Sequence, residues 1–479
     1  MNPLLKTSAI SLAKMIREKK KSAEDVVKTY ITQAKKVNPA LNAIVKDRYE
    51  LALKEAKDVD QHLKERLNEE QPLLGVPCSI KELYALTGMP QTGGLVYLKN
   101  NISKEDATVV SRIKAAGAIP IGVTNVPALA LHYESRNKVY GQTNNPYNLA
   151  HIPGGSSGGE GAIISAAGAA FGLGSDIGGS IRMPAFFCGI FGHKPSSGLV
   201  PTTGHFPYFE DVRARRYLGL GPMTRTAKDL MPILKVIVGP DGLDESTEKM
   251  KLGDEKKVKI PELTYYYINH KNLHKDVKKA QDNAIRALKD SGATVQEIPL
   301  GKFKYSFDIW LSSIVTVIPS RKFREILGGG KAIYPLKELI KEVFGKSDYP
   351  FYIILNMLIA TITDHVGKRR AKKFFEMGEV FRNELDKLLG KNGILIYPTH
   401  PYPAVKHGRG AFYLTRVGFT GIFNILHTPA TAIPMGFSQE GLPVGIQAVA
   451  RKGNDHLTIA VACFLEDQGF GWIPPKLAE

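Results

Sequence analysis

A run rich in glycine and serine, from Gly154 to Pro184, restricts the possible folds of this 479-residue chain more than any other segment. Glycine permits close backbone approach and unusual backbone conformations, and such conformations cluster at functional sites. In Gly178-Gly179-Ser180 a small hydroxyl lies beside residues without side chains. The backbone N–H groups of Ile177, Gly178, Gly179 and Ser180 can therefore close on an anionic oxygen, as in an oxyanion hole. The run predicts a nucleophile at Ser180.

A lysine upstream of this run supports the chemical interpretation. Lys81 follows the short apolar segment 74–80, which predicts a strand that ends at the lysine. Burial disfavours the charged form of a lysine and lowers its pKa, so a lysine at this position can act as a base. For the glycine-serine run taken alone, an ordinary turn remains the alternative.

Three parts of the sequence carry a family resemblance: Lys81, the segment Gly154–Gly159 and the segment Asp176–Arg182. They resemble the catalytic core of the amidase signature family of serine hydrolases, and the resemblance extends along nearly the whole chain. The variant GGSSGGEG, which contains Glu160, is similar to the fatty acid amide hydrolases within that family.

The resemblance implies a Ser–Ser–Lys triad. In it Ser180 is the nucleophile, Ser156 relays the proton and Lys81 is the ultimate base, since a serine hydroxyl needs a neighbouring base to become nucleophilic. It also implies a cis peptide bond between Gly155 and Ser156. The implied reaction is hydrolysis of fatty acid amides, such as primary fatty amides and N-acyl ethanolamines, through an acyl-enzyme without a metal or other cofactor.

Four further residues receive roles, two of them from the same resemblance. Leu129 and Ala130 resemble the segment that borders the acyl channel in relatives, although ordinary packing explains their apolar side chains equally well. Asp176 and Arg182 flank the site, and we expect them to brace the loop rather than to take part in the chemistry.

Other functions remain open at this point. A general amidase, or the glutaminase-type subunit of a tRNA-dependent amidotransferase, would share the same triad. The Glu160 variant and the apolar segment 351–359 favour lipid amides over glutamine without deciding between them. The alternative outside enzymes is a lipid-binding module with a decayed active site.

Three competing motifs fail in the same run. The segment 155–159 matches the G-x-S-x-G nucleophile elbow, but it follows a loop-forming segment rather than a buried strand, so we expect Ser157 to be structural. A dinucleotide fingerprint that begins at Gly172 has Ile177 in place of its third glycine. A phosphate-binding loop would need a lysine where Glu160 stands.

The composition indicates a globular enzyme. The net charge is +18, but basic residues alternate with acidic ones and lack interleaved aromatic residues, so we expect no nucleic-acid partner. A cationic surface can instead hold the protein at an anionic membrane or a lipid droplet. The three cysteines have neither disulfide nor metal-site spacing. With neither a signal peptide nor a transmembrane segment in the sequence, we expect a cytoplasmic protein, and we expect a homodimer.

Alternating helical and extended patterns predict an α/β fold with a sheet covered on both faces. The resemblance implies that the sheet is large, mixed and twisted. We predict one domain over 1–479, with a catalytic core at about 73–240. A capping box at Ser22 begins a helix that Asn38-Pro39 should end. The predicted helices are 107–116, 162–170 and 277–288, and the predicted strands are 118–123, 258–268, 293–298, 394–397 and 442–449.

The segment 303–364 has the least regular pattern and is rich in apolar residues. Within it, the stretch 350–359 is too short to span a bilayer. It predicts either a buried core helix or the wall of an acyl channel, which would also suit an interface that admits lipids.

Overall fold

The computed structural model describes residues 1–66, 70–331, 333–366 and 368–479, without the side chains of residues 320 and 359–368. The strands are β1 (Ile44–Asp47), β2 (Pro77–Lys81), β3 (Ile119–Thr124), β4 (Arg136–Asn137), β5 (Gly141–Gln142), β6 (Phe171–Asp176), β7 (Phe191–Lys194), β8 (Gly219–Thr224), β9 (Thr264–Tyr267), β10 (Thr294–Glu297), β11 (Gly393–Pro398), β12 (Ala430–Phe437) and β13 (Pro443–Ala450).

The helices are α1 (Pro3–Lys6), α2 (Ala9–Arg17), α3 (Ala23–Leu41), α4 (Tyr49–Gln61), α5 (Leu63–Arg66), α6 (Thr108–Ala115), α7 (Gly158–Ser165), α8 (Arg182–Phe187), α9 (Val212–Tyr217), α10 (Leu230–Ile237), α11 (Lys275–Asp290), α12 (Ser306–Val317), α13 (Ser320–Leu327), α14 (Pro335–Val343), α15 (Phe351–Val366), α16 (Lys368–Leu389), α17 (Gly418–Ile425) and α18 (Asp455–Asp467). Short 3₁₀ turns connect several of them.

Eleven strands form one mixed sheet in the order β1-β3-β2-β6-β8-β7-β12-β13-β11-β9-β10. The pairs β3–β2, β2–β6, β11–β9 and β9–β10 are parallel, and the other neighbours are antiparallel. Helices from across the sequence pack on this sheet, and its strands contribute to a large apolar core and to a second, smaller apolar cluster. The predicted α/β class with a large mixed sheet is confirmed.

The sheet brings two distant parts of the sequence together at the carboxyl ends of two neighbouring strands. Strands β2 and β6 are parallel neighbours, in register with Ser79 opposite Gly172. Their carboxyl ends therefore lie side by side, and that edge is where open α/β sheets commonly bind ligands. Lys81 ends β2, and Asp176 ends β6 directly before the Gly178-Gly179-Ser180 segment.

The first long helix shows one correct and one wrong prediction. Ser22 caps α3 by accepting a hydrogen bond from the Asp25 N–H (2.9 Å), as the capping box predicts. Pro39, however, does not end the helix, which continues to Leu41. A proline in the last turn removes a single helical hydrogen bond, so its cost is limited there. The helix ends at Asn42, which adopts the left-handed conformation typical of helix ends.

Other boundaries differ from the prediction where small or apolar residues dominate. Helix α7 begins at Gly158, within the glycine-rich motif, and ends at Ser165, so the predicted 162–170 helix is displaced. Only 264–267 of the predicted strand 258–268 pairs in the sheet. The segment 303–364 is not irregular, because most of it forms helices α12 to α15, although residue 332 and the side chains of 320 and 359–364 lie outside the described residues.

Candidate active site

Lys81 lies at the centre of the site and is completely buried. Its Nζ atom is 2.7 Å from the Ser156 Oγ, 2.9 Å from the Ser175 Oγ and 3.3 Å from the Ser175 carbonyl oxygen. Burial lowers the pKa of Lys81 to about 7, although the carboxyl groups of Asp176 and Glu160 act against this lowering. A substantial fraction of the amine is therefore neutral near neutral pH, and a neutral amine can accept a proton.

The two serines of the predicted triad differ in their access to solvent. The Ser156 side chain is 2% exposed and contacts Lys81, whereas Ser180 is 9% exposed. The more accessible hydroxyl is the better placed one to reach a substrate. The peptide bond between Gly155 and Ser156 is cis, as the family resemblance implies.

Ser157 lies in the interior of the protein, where it connects backbone segments. Its N–H donates to the Ser180 carbonyl oxygen (3.2 Å), and its Oγ is 3.4 Å from both the backbone nitrogen and the backbone oxygen of Ser175. These contacts hold the Ser156 loop against the end of β6. They support a structural role for Ser157.

The candidate oxyanion loop, which we define as residues 177–180, offers three of the four predicted backbone N–H donors. Within the described part of the chain, no acceptor lies opposite the backbone N–H groups of Ile177, Gly178 and Ser180. The Gly179 N–H instead donates to the Asp176 Oδ1 at 2.6 Å. The prediction that all four N–H groups face the oxyanion therefore needs correction, because the Asp176 carboxylate already occupies the Gly179 donor.

Side chains from distant parts of the sequence hold the other face of this loop. The Trp310 indole donates to the Ile177 carbonyl (2.9 Å), and the Thr420 hydroxyl donates to the Gly178 carbonyl (2.6 Å). A Cβ atom at Gly179, where φ is +121°, would collide with Thr420. The sequence needs glycine at 179 because only glycine tolerates both this φ and this close approach.

Asp176 and Arg182 form a completely buried ion pair beneath the loop. Arg182 donates from Nε and Nη2 to the two Asp176 oxygens, each at 2.9 Å. Although burial alone would raise the pKa of Asp176, the guanidinium holds it at about 2. The remaining Arg182 hydrogen bonds go to the Thr420 carbonyl and to the side chains of Asn424 and Gln447. Both residues therefore brace the loop, as expected.

Comparison with known proteins agrees with this geometry. A family model described as Amidase matches residues 25–459. The chain belongs to the amidase family. This amidase is 44% identical to fatty-acid amide hydrolase 2 of Homo sapiens, over 99% of this chain and 91% of that protein's length. It is 31% identical to a glutamyl-tRNA(Gln) amidotransferase subunit of Carboxydothermus hydrogenoformans, over 98% of this chain and 99% of that protein.

Two solved structures show the same fold. A structure of fatty acid amide hydrolase superposes with a TM-score of 0.82 at 23% identity, covering 99% of this chain and 88% of that chain. A structure of 6-aminohexanoate cyclic dimer hydrolase superposes with a TM-score of 0.83 at 24% identity and covers both chains completely. The predicted membership of the amidase signature family is thus confirmed.

Glu160 connects helix α7 of the amidase to the sheet. Its carboxyl oxygens are 2.5 Å from the Ser79 Oγ and 2.9 Å from the Thr124 Oγ1, and a side chain at Gly172 would collide with it. Burial raises the pKa of Glu160 to about 8, against the opposing effects of the two hydroxyl groups and of Lys81. This carboxyl group therefore fixes α7 relative to the strand that carries Lys81.

The two residues predicted to border an acyl channel lie in a loop that reaches the site. Leu129 is buried, Ala130 is half-buried, and both have positive φ angles, of 52° and 60°. Leu129 belongs to an apolar cluster with α15 residues, namely Ile353, Ile354 and Met357. Further along the loop, the Ser135 Oγ donates to the Gly154 carbonyl (3.0 Å). This bond joins the loop that carries Leu129 to the glycine- and serine-rich run.

Sequence reasoning assigned no role to several residues that complete the site. Ser175 and His205 contact one another beside Lys81, and Trp310, Thr420 and Asn424 hold the oxyanion loop. Ser175 stands next to a recognised motif, and its proximity could have identified it. The others lie far from the motifs in sequence, and nothing local marks them.

Neither a metal site nor a membrane span is visible in the parts of this amidase that the structure describes. Across those residues no three His, Cys, Asp or Glu side chains are grouped as a metal ion would need. None of the described helices has the length and apolarity needed to cross a bilayer.

Proposed function

We propose that this amidase hydrolyses fatty acid amides to a fatty acid and an amine or ammonia. The observation that carries the proposal is the buried 2.7 Å contact of Lys81 with Ser156, which lies in the same glycine- and serine-rich run as the 9% exposed Ser180, in a chain 44% identical to a fatty-acid amide hydrolase. A desolvated lysine that acts through a hydroxyl can activate a serine without a histidine.

In the proposed reaction Ser180 attacks the amide carbonyl while its proton passes to Ser156 and the Ser156 proton passes to Lys81. The oxyanion that develops on the carbonyl accepts hydrogen bonds from the backbone of Ile177, Gly178 and Ser180. The C–N bond then breaks, and the leaving amine takes the proton back from Lys81 through Ser156. Water, activated by the same path, hydrolyses the acyl-enzyme.

A cluster of apolar side chains near the site supports the proposal that the substrate carries an acyl chain. The cluster that contains Leu129 continues into α15, whose Tyr352 hydroxyl accepts from the Ala128 N–H (2.8 Å) and donates to the Arg136 carbonyl (2.7 Å). These bonds attach the apolar helix to the loop that reaches the catalytic run. We propose that Leu129 and Ala130 border the acyl chain.

The same region supports peripheral contact with a lipid surface. Four apolar residues at helical spacing are exposed in and just after α14: Leu336 (68%), Ile340 (62%), Val343 (75%) and Phe344 (71%). We call these four residues the α14 apolar face. An exposed apolar patch of this kind marks an interaction site, and nearby lysines suit anionic lipid. We propose that it adsorbs to lipid, where the substrate is dissolved.

A panel of amides tests the proposed substrate. We expect oleamide and N-oleoylethanolamine to be hydrolysed with a kcat/KM at least about tenfold above that of acetamide or glutamine, because an apolar wall contributes binding energy for each buried methylene. Faster turnover of glutamine would instead favour the glutaminase-type function suggested by the amidotransferase relatives. Covalent labelling of wild type by a fluorophosphonate should occur, and its absence would indicate a binding module.

Cosedimentation with vesicles tests the lipid contact. Wild type should bind vesicles that contain an anionic phospholipid, and Ile340→Ser together with Val343→Ser should weaken binding several-fold because apolar area is lost from the interface. Leu243→Ser is a matched control, since Leu243 is 71% exposed outside this face. Equal binding by all three proteins would contradict the proposal.

A further inference from the structure

A buried histidine that the proposed reaction does not use lies behind the catalytic lysine. His205 follows β7 in a loop, and its imidazole packs edge-on against the Tyr84 ring with centroids 5.3 Å apart. The His205 Nε2 is 2.9 Å from the Ser175 Oγ, which is 2.9 Å from the Lys81 Nζ. A continuous chain of polar contacts therefore runs from His205 through Ser175 and Lys81 to Ser156.

The hydrogens in this chain can be counted. A hydroxyl has one hydrogen to donate, whereas a neutral amine has two and a single lone pair. For Lys81 to take the proton of Ser156, its lone pair must point at the Ser156 hydroxyl. Both amine hydrogens must then point elsewhere, and the hydroxyl and carbonyl oxygens of Ser175 lie at 2.9 and 3.3 Å.

Ser175 in turn needs an acceptor for its own hydrogen. Within the described part of the chain, the Ser175 Oγ contacts only Lys81 and His205 in hydrogen-bond geometry. If Lys81 donates to this oxygen, the Ser175 hydrogen must go to the His205 Nε2. That requires the neutral imidazole to carry its hydrogen on Nδ1, because a neutral ring has one donor and one acceptor nitrogen.

We propose that His205 is a positioning residue. Its Nε2 lone pair accepts the Ser175 hydrogen and so fixes the direction of hydrogen-bond donation along these contacts, with the result that the lone pair of Lys81 faces Ser156. In the opposite tautomer the Nε2–H would donate to Ser175. Ser175 would then donate to the Lys81 lone pair, and Lys81 could not accept from Ser156. His205 thus acts through Ser175 and Lys81 without touching the substrate. The inference rests on the proposed roles of Lys81 and Ser156.

The surroundings of His205 keep it available as an acceptor. Burial, followed by the nearby Lys81 amine, lowers the pKa of His205 to about 3, and the Pro207 backbone opposes this lowering. Lys81 is the ionisable group that acts electrostatically on the ring. The carboxyl groups of Asp176 and Glu160 act on Lys81 in turn. The imidazole therefore stays neutral while Lys81 titrates near pH 7.

The Tyr84 ring that packs on His205 does not compete for Ser175. Its hydroxyl donates to the Gly174 carbonyl (2.6 Å), and burial raises its pKa well above the usual range. The His205 Nδ1 is buried, with no partner in regular hydrogen-bond geometry among the described residues. Proline has no N–H, so the Pro207 backbone can act on the ring only as an acceptor, which suits a hydrogen on Nδ1 while Nε2 meets Ser175.

Paired substitutions test whether the acceptor matters. The rate of fluorophosphonate labelling of Ser180 reports activation of the nucleophile whatever the natural substrate is. His205→Leu, which has no acceptor, should slow labelling about 10- to 100-fold, less than the roughly 10²- to 10⁴-fold contribution of a general base itself. His205→Gln, whose amide oxygen can accept from Ser175, should restore most of the rate. His62→Leu, at an exposed histidine on the surface, should label like wild type.

The two variants also distinguish positioning from folding. If His205 only fills space, Leu and Gln should slow labelling equally, and that result would overturn the proposal. Thermal melting of each variant shows whether it is folded. The rise of the labelling rate with pH should remain near pH 7 in His205→Leu while its plateau falls, because the Lys81 amine is still buried.

A tautomer measurement tests the proposal without any activity. In protein labelled with ¹⁵N-histidine, the His205 signals are those that disappear in His205→Gln. We expect an unprotonated Nε2 and a protonated Nδ1 at pH 7 to 8. A protonated Nε2 would overturn the inference even in an active enzyme, whereas failure of wild type to label would instead reject the proposed function.

Discussion

The glycine- and serine-rich run 154–184 and the helices α14 and α15 contain exceptions of opposite kinds to the usual relation between polarity and burial. Every residue of the glycine- and serine-rich run is buried except Ile177, which is half-buried. In the apolar region, by contrast, the α14 apolar face and Phe351 are exposed. Charged and hydroxyl side chains of the run thus lie in the interior, while five apolar side chains in α14, just after it and in α15 lie on the surface.

Hydrogen bonding explains this reversal. Buried polar groups are tolerated when they are paired, and in the run the Asp176 and Arg182 side chains satisfy each other and the surrounding backbone. Apolar side chains need no such partners, and a patch of them on a protein surface marks an interaction site for another molecule or a membrane. The comparison indicates that hydrogen bonds hold the run in place, whereas the α14 apolar face is free to make the lipid contact proposed above.

Loss of the proposed nucleophile should have the largest effect on activity. Ser180→Ala should lower kcat on the order of 10⁴-fold or more and abolish fluorophosphonate labelling, because no acyl-enzyme can form. Its melting temperature should match wild type, since a hydroxyl is exchanged for a hydrogen. Ser157→Ala is the control and should still label. Activity of Ser180→Ala within tenfold of wild type would reject the assignment.

Breaking the buried ion pair should have the largest effect on stability. Asp176→Ala leaves the Arg182 charge buried without its partner, and such losses cost about 3–5 kcal/mol of unfolding free energy. Asp467→Ala, which breaks the exposed pair with Lys228, should cost less than about 1 kcal/mol. Urea unfolding measures both. Similar losses would mean that the interior charges do not hold the run.

The unfolding free energy of the wild type should also depend on pH at acid values, because the Asp176 carboxyl group titrates there. Its pKa of about 2 lies below the unfolded value near 3.9. The stabilisation is therefore fully present above about pH 4 and is lost as the pH falls toward 2. The Asp176→Ala variant should lack this part of the acid transition, and urea midpoints measured from pH 6 to pH 2 compare the two proteins.

The role of Lys81 as base and leaving-group acid predicts a smaller, more specific effect. The rate should rise with pH through about 7, because the amine must lose its proton before it can act. Lys81→Met should remove this rise and should lose more rate on an amide than on an ester of the same acyl chain, about tenfold or more. An amine leaves only when protonated, whereas an alkoxide needs less help. Equal losses would leave Lys81 without the second role.

Substitutions on the α14 apolar face should have the smallest effect. Ile340→Ser should change the unfolding free energy by less than about 0.5 kcal/mol, because the side chain is already exposed. Hydrolysis of a water-soluble short-chain amide should also be unchanged. A loss of several kcal/mol in urea unfolding would show that this face packs in the interior, and would remove the contrast between the two regions.

The sequence predicts the contacts between residues that lie in recognisable motifs and misses those of residues outside them. Lys81 and Ser156 could be placed by motif, and the structure brings them within hydrogen-bond distance. Trp310, Thr420 and His205 could not be placed, because their partners become neighbours only when the sheet is assembled. The stretch 350–359 does form a helix with buried apolar residues, as one of the two predicted alternatives had it, whereas the exposure of the α14 apolar face could not be predicted, because hydrophobicity alone does not distinguish a core helix from an exposed one.

The hydrogen bonds of Arg182 have a consequence for how the protein is made. Its partners Thr420, Asn424 and Gln447 follow it by 238, 242 and 265 positions in the chain. During synthesis the arginine leaves the ribosome long before they do, and a domain assembled from such distant contacts folds late. A nascent chain that carries the complete catalytic motif therefore still lacks a braced oxyanion loop, and it should remain inert until nearly all of its residues have been translated.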